Sequence, residues 1–172
     1  MEFTMQKVID EYYIMENDRH VFTVSYEKED GLLSIYLKNM FGDEILGLYQ
    51  VRKWYSRVHS CMNFMIYEND QQIGELKKNK DGFELVYHDV YYRFYCGQHA
   101  GDRMVICFDR NHQIAEFTFD EITKIKFCNT TLQGLLSLLC MTMKVFIDQE
   151  HFSEKAFQHH YLGVYDDTKL SA

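Results

Sequence analysis

Two short groups of basic residues have the side chains best suited to bind a ligand. One group surrounds the single tryptophan and the other lies in a predicted hairpin loop, and together they comprise Arg52, Lys53, Trp54, Arg57, Lys77, Lys78 and Lys80. Basic side chains around an aromatic ring can contact lipid headgroups while the ring lies at the interface. The alternative is a pair of charged turns that keep the rim of the domain soluble. If the chain binds an anion, we expect these two turns to bind it.

Nucleophilic catalysis would need a cysteine beside a histidine. Three cysteines in predicted strands could each pair with one of three histidines, namely Cys96, Cys107 and Cys128 with His88, His99 and His112. Such a pair works only where electropositive, partly exposed surroundings stabilise the thiolate, which spacing does not indicate. Two acidic pairs face each other across hairpins at best, Asp109 with Glu116 and Glu68 with Glu75. Solvated hairpin faces account for both pairs, so we predict no catalytic residue.

Metal and cofactor motifs are absent from the sequence. It contains no glycine-rich phosphate loop, no HExxH, no GxSxG and no EF-hand loop. His159 and His160 are adjacent, and adjacent side chains point to opposite faces of a strand or diverge by about 100° on a helix. We therefore expect no metal, no cofactor and no enzymatic activity.

Charge and cysteine usage limit the class of partner. The formal net charge is −8, from 18 basic and 26 acidic residues, so nucleic acid is not expected to bind, and anionic lipid would need a local basic patch. The cysteine number is odd and no CxxC pair occurs among Cys61, Cys96, Cys107, Cys128 and Cys140. Reduced core cysteines in a cytoplasmic protein are the expected interpretation, and the N-terminus lacks a signal-peptide pattern.

Short alternating segments with turn residues between them occupy most of the chain. The segment His20–Glu27 reads as a strand, an Asp-Gly turn ends at Gly31, and Leu32–Lys38 returns. Counting from Glu11–Met15, we predict about eleven or twelve strands up to Cys128, spaced by roughly 8–12 residues as in all-β barrels and sandwiches. Two segments, Tyr67–Leu76 and Phe108–Phe117, match in pattern and predict a repeated hairpin, with Asp43–Leu48 as a fainter third copy.

The spacing of apolar residues along the sequence changes after the last predicted strand. Asn129, Thr130 and Thr131 offer capping side chains, and the apolar run Leu132–Ile147 predicts a helix. Its apolar residues surround the axis, so it must be buried on nearly all sides. A membrane span needs about 20 consecutive apolar residues, whereas this run is shorter and interrupted by polar ones. We therefore predict a helix inside the protein core.

These elements predict a mainly β fold, a closed antiparallel barrel of about 12 strands that encloses the C-terminal helix. A barrel of this size has an interior too wide for strand side chains alone, and the helix has the character to fill it. Closure also removes sheet edges, which the chain has no proline to protect. The predicted domain spans residues 1–150, with the helix at about residues 130–150. Residues 151–172 form a tail that packs on the barrel or is partly flexible.

The order of a twelve-strand meander and a hydrophobic helix resembles the tubby C-terminal-like superfamily. The likeness rests on Ile73–Leu76, Ile114–Phe117 and the helix Leu135–Ile147, and within the superfamily it points to the LURP-one-related proteins and their bacterial relatives, which are similar to phospholipid scramblases. The resemblance implies a non-enzymatic binding domain. Tubby domains that bind phosphoinositides use a basic pocket, whereas this chain is acidic overall, and its tail after the helix also departs from the family.

Three functions remain open from the sequence. The first is a non-enzymatic tubby-like module that binds a lipid headgroup, a membrane surface or a protein. The second is a lipocalin-like carrier of an apolar small molecule, which requires an open interior with the helix across its mouth. The third is an enzyme without a readable motif, which requires a titratable group of strongly perturbed pKa in a pocket. Oligomeric state is left open.

Overall fold

Twelve antiparallel strands close into a barrel in the computed structural model, which describes residues 1–51, 63–79, 82–99 and 101–149. Each strand pairs with its sequence neighbours, and β1 also pairs with β12 to close the sheet. The strands are β1 Glu2–Val8, β2 Glu11–Glu16, β3 Arg19–Glu29, β4 Leu32–Asn39, β5 Glu44–Val51, β6 Asn63–Glu68, β7 Gln71–Lys78, β8 Gly82–Tyr87, β9 Val90–His99, β10 Asp102–Asp109, β11 His112–Phe119 and β12 Thr123–Phe127. The predicted fold class is confirmed.

Alternation of side chains places one face of each strand in the core. In β4, Leu33, Ile35 and Leu37 are buried, whereas the intervening Ser34 and Tyr36 are only partly covered. Successive side chains of a strand point to opposite faces, so the first three line the barrel interior and the other two lie on its outer surface.

Tight turns join the hairpins where the sequence offers residues that tolerate positive φ. The predicted Asp-Gly turn after β3 is present, with φ of 51° at Asp30 and 78° at Gly31. Asn69 and Asp70 between β6 and β7 have φ of 48° and 62°. Paired left-handed residues are typical of type I′ turns, whose twist matches that of the flanking strands.

The C-terminal helix lies inside the barrel. A 3-10 turn, Thr130–Leu132, leads into the helix α1, Gln133–Gln149, and the side chain of the predicted cap Asn129 accepts a hydrogen bond from the Thr131 amide. Near its end, the Phe146 ring contacts the rings of Phe64 and Phe83, with centroids 5.6 and 6.0 Å apart. The segment Thr130–Asp148 is long and apolar enough to cross a bilayer, but 72% of it is buried within the protein, as a core helix requires.

Polar residues of α1 are paired locally. The hydroxyls of Ser137 and Thr142 donate to the carbonyls of Gln133 and Leu138, at 2.8 and 2.9 Å. A buried hydroxyl bonded one turn back along its own helix has its donor satisfied in an apolar core. The interruptions of the apolar run therefore do not prevent burial.

Two expectations differ from the structure. The predicted strands begin at Glu11, whereas the structure adds β1 before it. Both predicted copies of the repeated hairpin contain a one-residue shift in pairing, between Ile66 and Tyr67 and between Cys107 and Phe108. The β2–β3 and β4–β5 hairpins contain the same shift, so the repeat stays a prediction. The fainter third copy differs in alignment: its shift lies between Leu37 and Lys38, where Leu46 takes the position of Gly74 and Ala115, so Gly47 lies one residue later. Residues 151–172, the predicted tail, lie outside the described residues.

Candidate functional site

The predicted basic groups fall partly within the described residues. Lys77 and Lys78 end β7. Lys77 is exposed, and its Nζ lies 3.2 Å from Glu75 Oε2. Lys78 is partly buried, and its charge acts on the Cys96 thiol. The other predicted ligand residues, Arg52, Lys53, Trp54, Arg57 and Lys80, lie outside the described residues.

Strand register relates the two groups. Val51, the last residue of β5, pairs with Asn63, the first residue of β6, and Asn63 pairs in turn with Lys77. Residues 52–62 therefore connect two strand ends that lie beside Lys77 at one end of the barrel. We call the end of the barrel that contains Val51, Asn63 and Lys77 the basic end. The helix α1 also ends here, because the Arg103 guanidinium at the start of β10 donates to the Ile147 carbonyl at 3.4 Å.

The cysteines within the described residues form no disulfide and lie in unequal surroundings. Cys107 and Cys140 are buried, as expected, and burial raises the pKa of each thiol. Burial also raises the pKa of Cys96 to about 12. Thiols of this kind are protonated and poorly nucleophilic at neutral pH. Cys128 is exposed, which corrects its prediction as a core residue; its Sγ lies 3.6 Å from the Ile114 carbonyl oxygen.

In the observed strand register, Glu68 is not opposite Glu75 and Asp109 is not opposite Glu116. Glu68 lies opposite Gln71 and Glu75 opposite Met65. On the other hairpin, Asp109 lies opposite His112, whereas Glu116 lies opposite Ile106, and Glu116 Oε1 is 3.9 Å from Lys126 Nζ. No group of three or more His, Cys, Asp and Glu residues in the described part of the chain is arranged to hold a metal ion.

The sequence did not predict a groove on the outer surface of β5 and β6. It has a volume of about 640 Å³ and is lined by Glu44, Ile45, Leu46, Tyr49, Val51, Met65, Tyr67, Asn69 and Asp70. This volume lies within the range of pockets that bind small molecules. Aromatic and aliphatic side chains form much of the lining, with two exposed carboxylates.

Three tyrosine rings are arranged around Gly47 at this groove. Tyr36 and Tyr67 are the register partners of Gly47 on the two adjacent strands. A β-carbon at Gly47 would lie 2.8 Å from Tyr49 Cε2, so the Tyr49 ring occupies the space above the glycine. The Tyr36 and Tyr67 rings stand at 79° and 81° to it, with centroids 5.8 and 5.5 Å away. We call Tyr36, Tyr49 and Tyr67 the tyrosine cluster.

Carboxylates determine the electrostatics of the tyrosine cluster. The Tyr36 hydroxyl donates to Glu27 Oε1 at 2.6 Å, and this hydrogen bond raises the pKa of Tyr36 to about 12. Burial raises the pKa of Tyr49, and the negative charges of Glu44 and Asp70 raise it further. All three effects favour the neutral phenols of Tyr36 and Tyr49, and the nearby carboxylates make the field at these rings negative.

Sequence comparison identifies no relative: no family model matches the chain, and no curated protein matches it. Structural comparison finds a similar fold in the crystal structure of the Arabidopsis thaliana protein AT5G01750. The two chains share 12% sequence identity with a TM-score of 0.56, over 84% of this chain and 90% of the plant protein. At this identity, the similarity establishes a common fold.

Proposed function

We propose that this chain is a non-enzymatic binding domain of the tubby C-terminal-like superfamily, similar to the LURP-one-related proteins, and that its basic end binds anionic phospholipid headgroups. The order of strands and helix supports the family assignment, as does the shared fold of the plant protein. A protein partner at the same end is the alternative. The thiols of the described cysteines, which form no disulfide, support a cytoplasmic location.

The pairing of Val51 with Asn63 and of Asn63 with Lys77 carries the lipid proposal. It sets Val51 and Asn63, the strand ends on either side of residues 52–62, next to Lys77 at one end of the sheet. Attraction to an anionic surface depends on the local density of charge, since fields are screened within about 8 Å at physiological salt. A local basic group can therefore act despite a net charge of −8.

The position of the helix argues against the carrier function. A carrier needs an empty interior, whereas Leu138, Leu139 and Met143 of α1 are fully buried in the same core cluster as the inward strand residues. Catalysis by the thiols is disfavoured because burial raises the pKa of Cys96, Cys107 and Cys140. Binding of a partner at the outer surface of the barrel is therefore the best supported function.

Flotation with liposomes tests this proposal. The purified protein is mixed with vesicles of neutral or of partly anionic composition, at low and at physiological salt. We expect salt-sensitive flotation with anionic vesicles only. Binding should be lost in an Arg52→Ala/Arg57→Ala variant and retained in Arg19→Ala/Arg110→Ala, which removes the same charge at the opposite end of the barrel.

Two results would overturn the lipid proposal. Equal loss in both variants would show that only net charge matters and that the basic end has no special role. Absence of flotation at either salt would exclude lipid binding and direct the search to protein partners of the same surface.

A further inference from the structure

The groove beside the tyrosine cluster has a chemistry that differs from that of the basic end. Tyr49 and Tyr67 form a corner of nearly perpendicular rings, and Met65 lies in register with Tyr49 along the same wall. Glu44 and Asp70 are exposed at the rim. The groove therefore combines apolar walls with two negative charges.

Charge around the groove has one sign among the described residues. None of its described lining residues is basic. Lys38 lies opposite Glu44 in the β4–β5 register, but its ammonium group is paired with another carboxylate, since its Nζ lies 3.2 Å from Glu11 Oε1. Glu44 and Asp70 have no ion-pair partner within the described part of the chain. A positively charged guest would thus meet two carboxylates that have no ion-pair partner among the described residues.

Aromatic rings add a second attraction for a cation. The face of a tyrosine ring is electron-rich and attracts a cation within about 6 Å of its centre, most strongly when the cation is poorly hydrated. Methylated ammonium groups are poorly hydrated cations, and their methyl groups also contact apolar walls. Because perpendicular rings form a corner, one ammonium group can contact two of them at once.

We propose that this groove binds a small organic cation with a methylated ammonium group and no adjoining anion, held between Tyr49 and Tyr67 and attracted by Glu44 and Asp70. A phosphate next to the ammonium would face the same carboxylates and be repelled by them. This separates a free cation such as choline from phosphocholine and from a phosphatidylcholine headgroup. Val51 lines the groove and also ends β5 at the basic end, but the proposed binding residues Glu44, Tyr49, Tyr67 and Asp70 are not members of the basic groups.

Titration with three soluble probes, followed by amide chemical shifts, and flotation with one kind of vesicle test the site. Choline chloride should shift the amide signals of Gly47, Tyr49 and Tyr67. The neutral isostere 3,3-dimethylbutan-1-ol has the same shape without the charge and should bind about tenfold more weakly or not at all. Phosphocholine should also bind more weakly than choline, and neutral phosphatidylcholine vesicles should not float the protein.

Four variants separate the contributions of ring, hydroxyl and charge. Tyr67→Phe keeps the ring and should retain choline binding, whereas Tyr67→Leu should weaken it about tenfold. Glu44→Gln/Asp70→Asn should weaken binding several-fold and reduce its salt dependence. Tyr91→Leu, an exposed tyrosine on β9, serves as the matched control and should bind choline normally.

The outcomes are decisive. Preference for choline over its isostere, lost in Tyr67→Leu and kept in Tyr67→Phe, supports the site. Equal binding of choline and the isostere would show an apolar groove without cation selectivity and overturn the proposal. The absence of shifts with choline would overturn it as well, while leaving the flotation experiment at the basic end unaffected.

Discussion

At Gly74, strand β7 passes close to the backbone of β8. A β-carbon there would lie 2.5 Å from the Val86 carbonyl oxygen, and a backbone atom cannot rotate out of the way. We expect Gly74→Ala to lower the free energy of unfolding by about 1–3 kcal/mol, the usual cost of overpacking. Urea unfolding followed by circular dichroism measures this change.

The control for Gly74 is the same substitution beside a flexible neighbour. At Gly134 in α1, the nearest atom to an added β-carbon is the end of the Leu37 side chain, at 3.1 Å. Gly134→Ala gains up to about 1 kcal/mol of helix propensity against this crowding, so its net effect should be small. Similar stabilities of the two variants would contradict the backbone approach at Gly74.

The Cys96 thiol predicts a loss of stability at high pH. Its pKa is about 12 in the folded protein against 9.0 ordinarily, because burial disfavours the thiolate. The unfolded chain therefore loses this proton first, and the stabilisation is complete below pH 9 and declines as the pH rises towards 12. Between pH 8 and 10, wild type should lose about 1 kcal/mol more unfolding free energy than Cys96→Ala.

Urea unfolding of both proteins at the two pH values gives that difference. Other groups with raised pKa, such as the Tyr36 hydroxyl, remain in both proteins and cancel in the comparison. Identical pH dependence of the two proteins would mean that the Cys96 thiol is accessible to solvent and not protected by burial.

At the scale of secondary-structure elements, the burial of α1 inside the barrel can be tested by substituting a residue in its middle. Leu139 in its middle is fully buried. Leu139→Asp would place an unpaired charge in the core, which costs several kcal/mol, so we expect the variant not to fold. Gln133→Asp is the matched control near the start of α1, where a carboxylate is favourable. Thermal unfolding that leaves Leu139→Asp as stable as wild type would exclude a central helix.

Barrel and helix were predictable because each depends on a strong local pattern. Alternation in segments such as Leu32–Lys38 and the Asp-Gly turn before it indicate hairpins directly. The first strand was not predicted, because the turn before β2 contains Ile9 with φ of 56°, a conformation that β-branched residues rarely adopt. A turn made by such a residue carries no signal in the sequence.

The groove was unpredictable for a different reason. The tyrosine cluster draws one residue from each of β4, β5 and β6, and it forms only in one register. The rings of Tyr36 and Tyr67 meet beside Gly47 because β4 and β6 both pair with β5 in the registers that place them opposite this glycine, and the β4–β5 pairing also shifts after Leu37. A shift by one residue reverses which side chains face outward. Alternation alone shows that Tyr36 and Tyr49 point away from the core, but not that their rings meet.

At the scale of the whole molecule, closure determines how the barrel resists opening. Strand β1 pairs with β12 on one side and with β2 on the other, so the sheet has no edge at the point where the chain begins its first strand. Phe3 and Met5 of β1 are buried in the common core. The first strand should therefore be as protected as those in the middle of the sequence.

Hydrogen exchange followed by mass spectrometry measures this protection. Peptides covering β1 should exchange as slowly as those covering β7, because in a closed barrel the amides of both are bonded to neighbours on two sides. Thr4→Pro removes an amide that contributes to one of the two ladders and should accelerate exchange in β1, β2 and β12 together. Thr4→Val retains the amide and should leave exchange unchanged. Rapid exchange of β1 in the unmodified protein would show that the barrel opens at this seam.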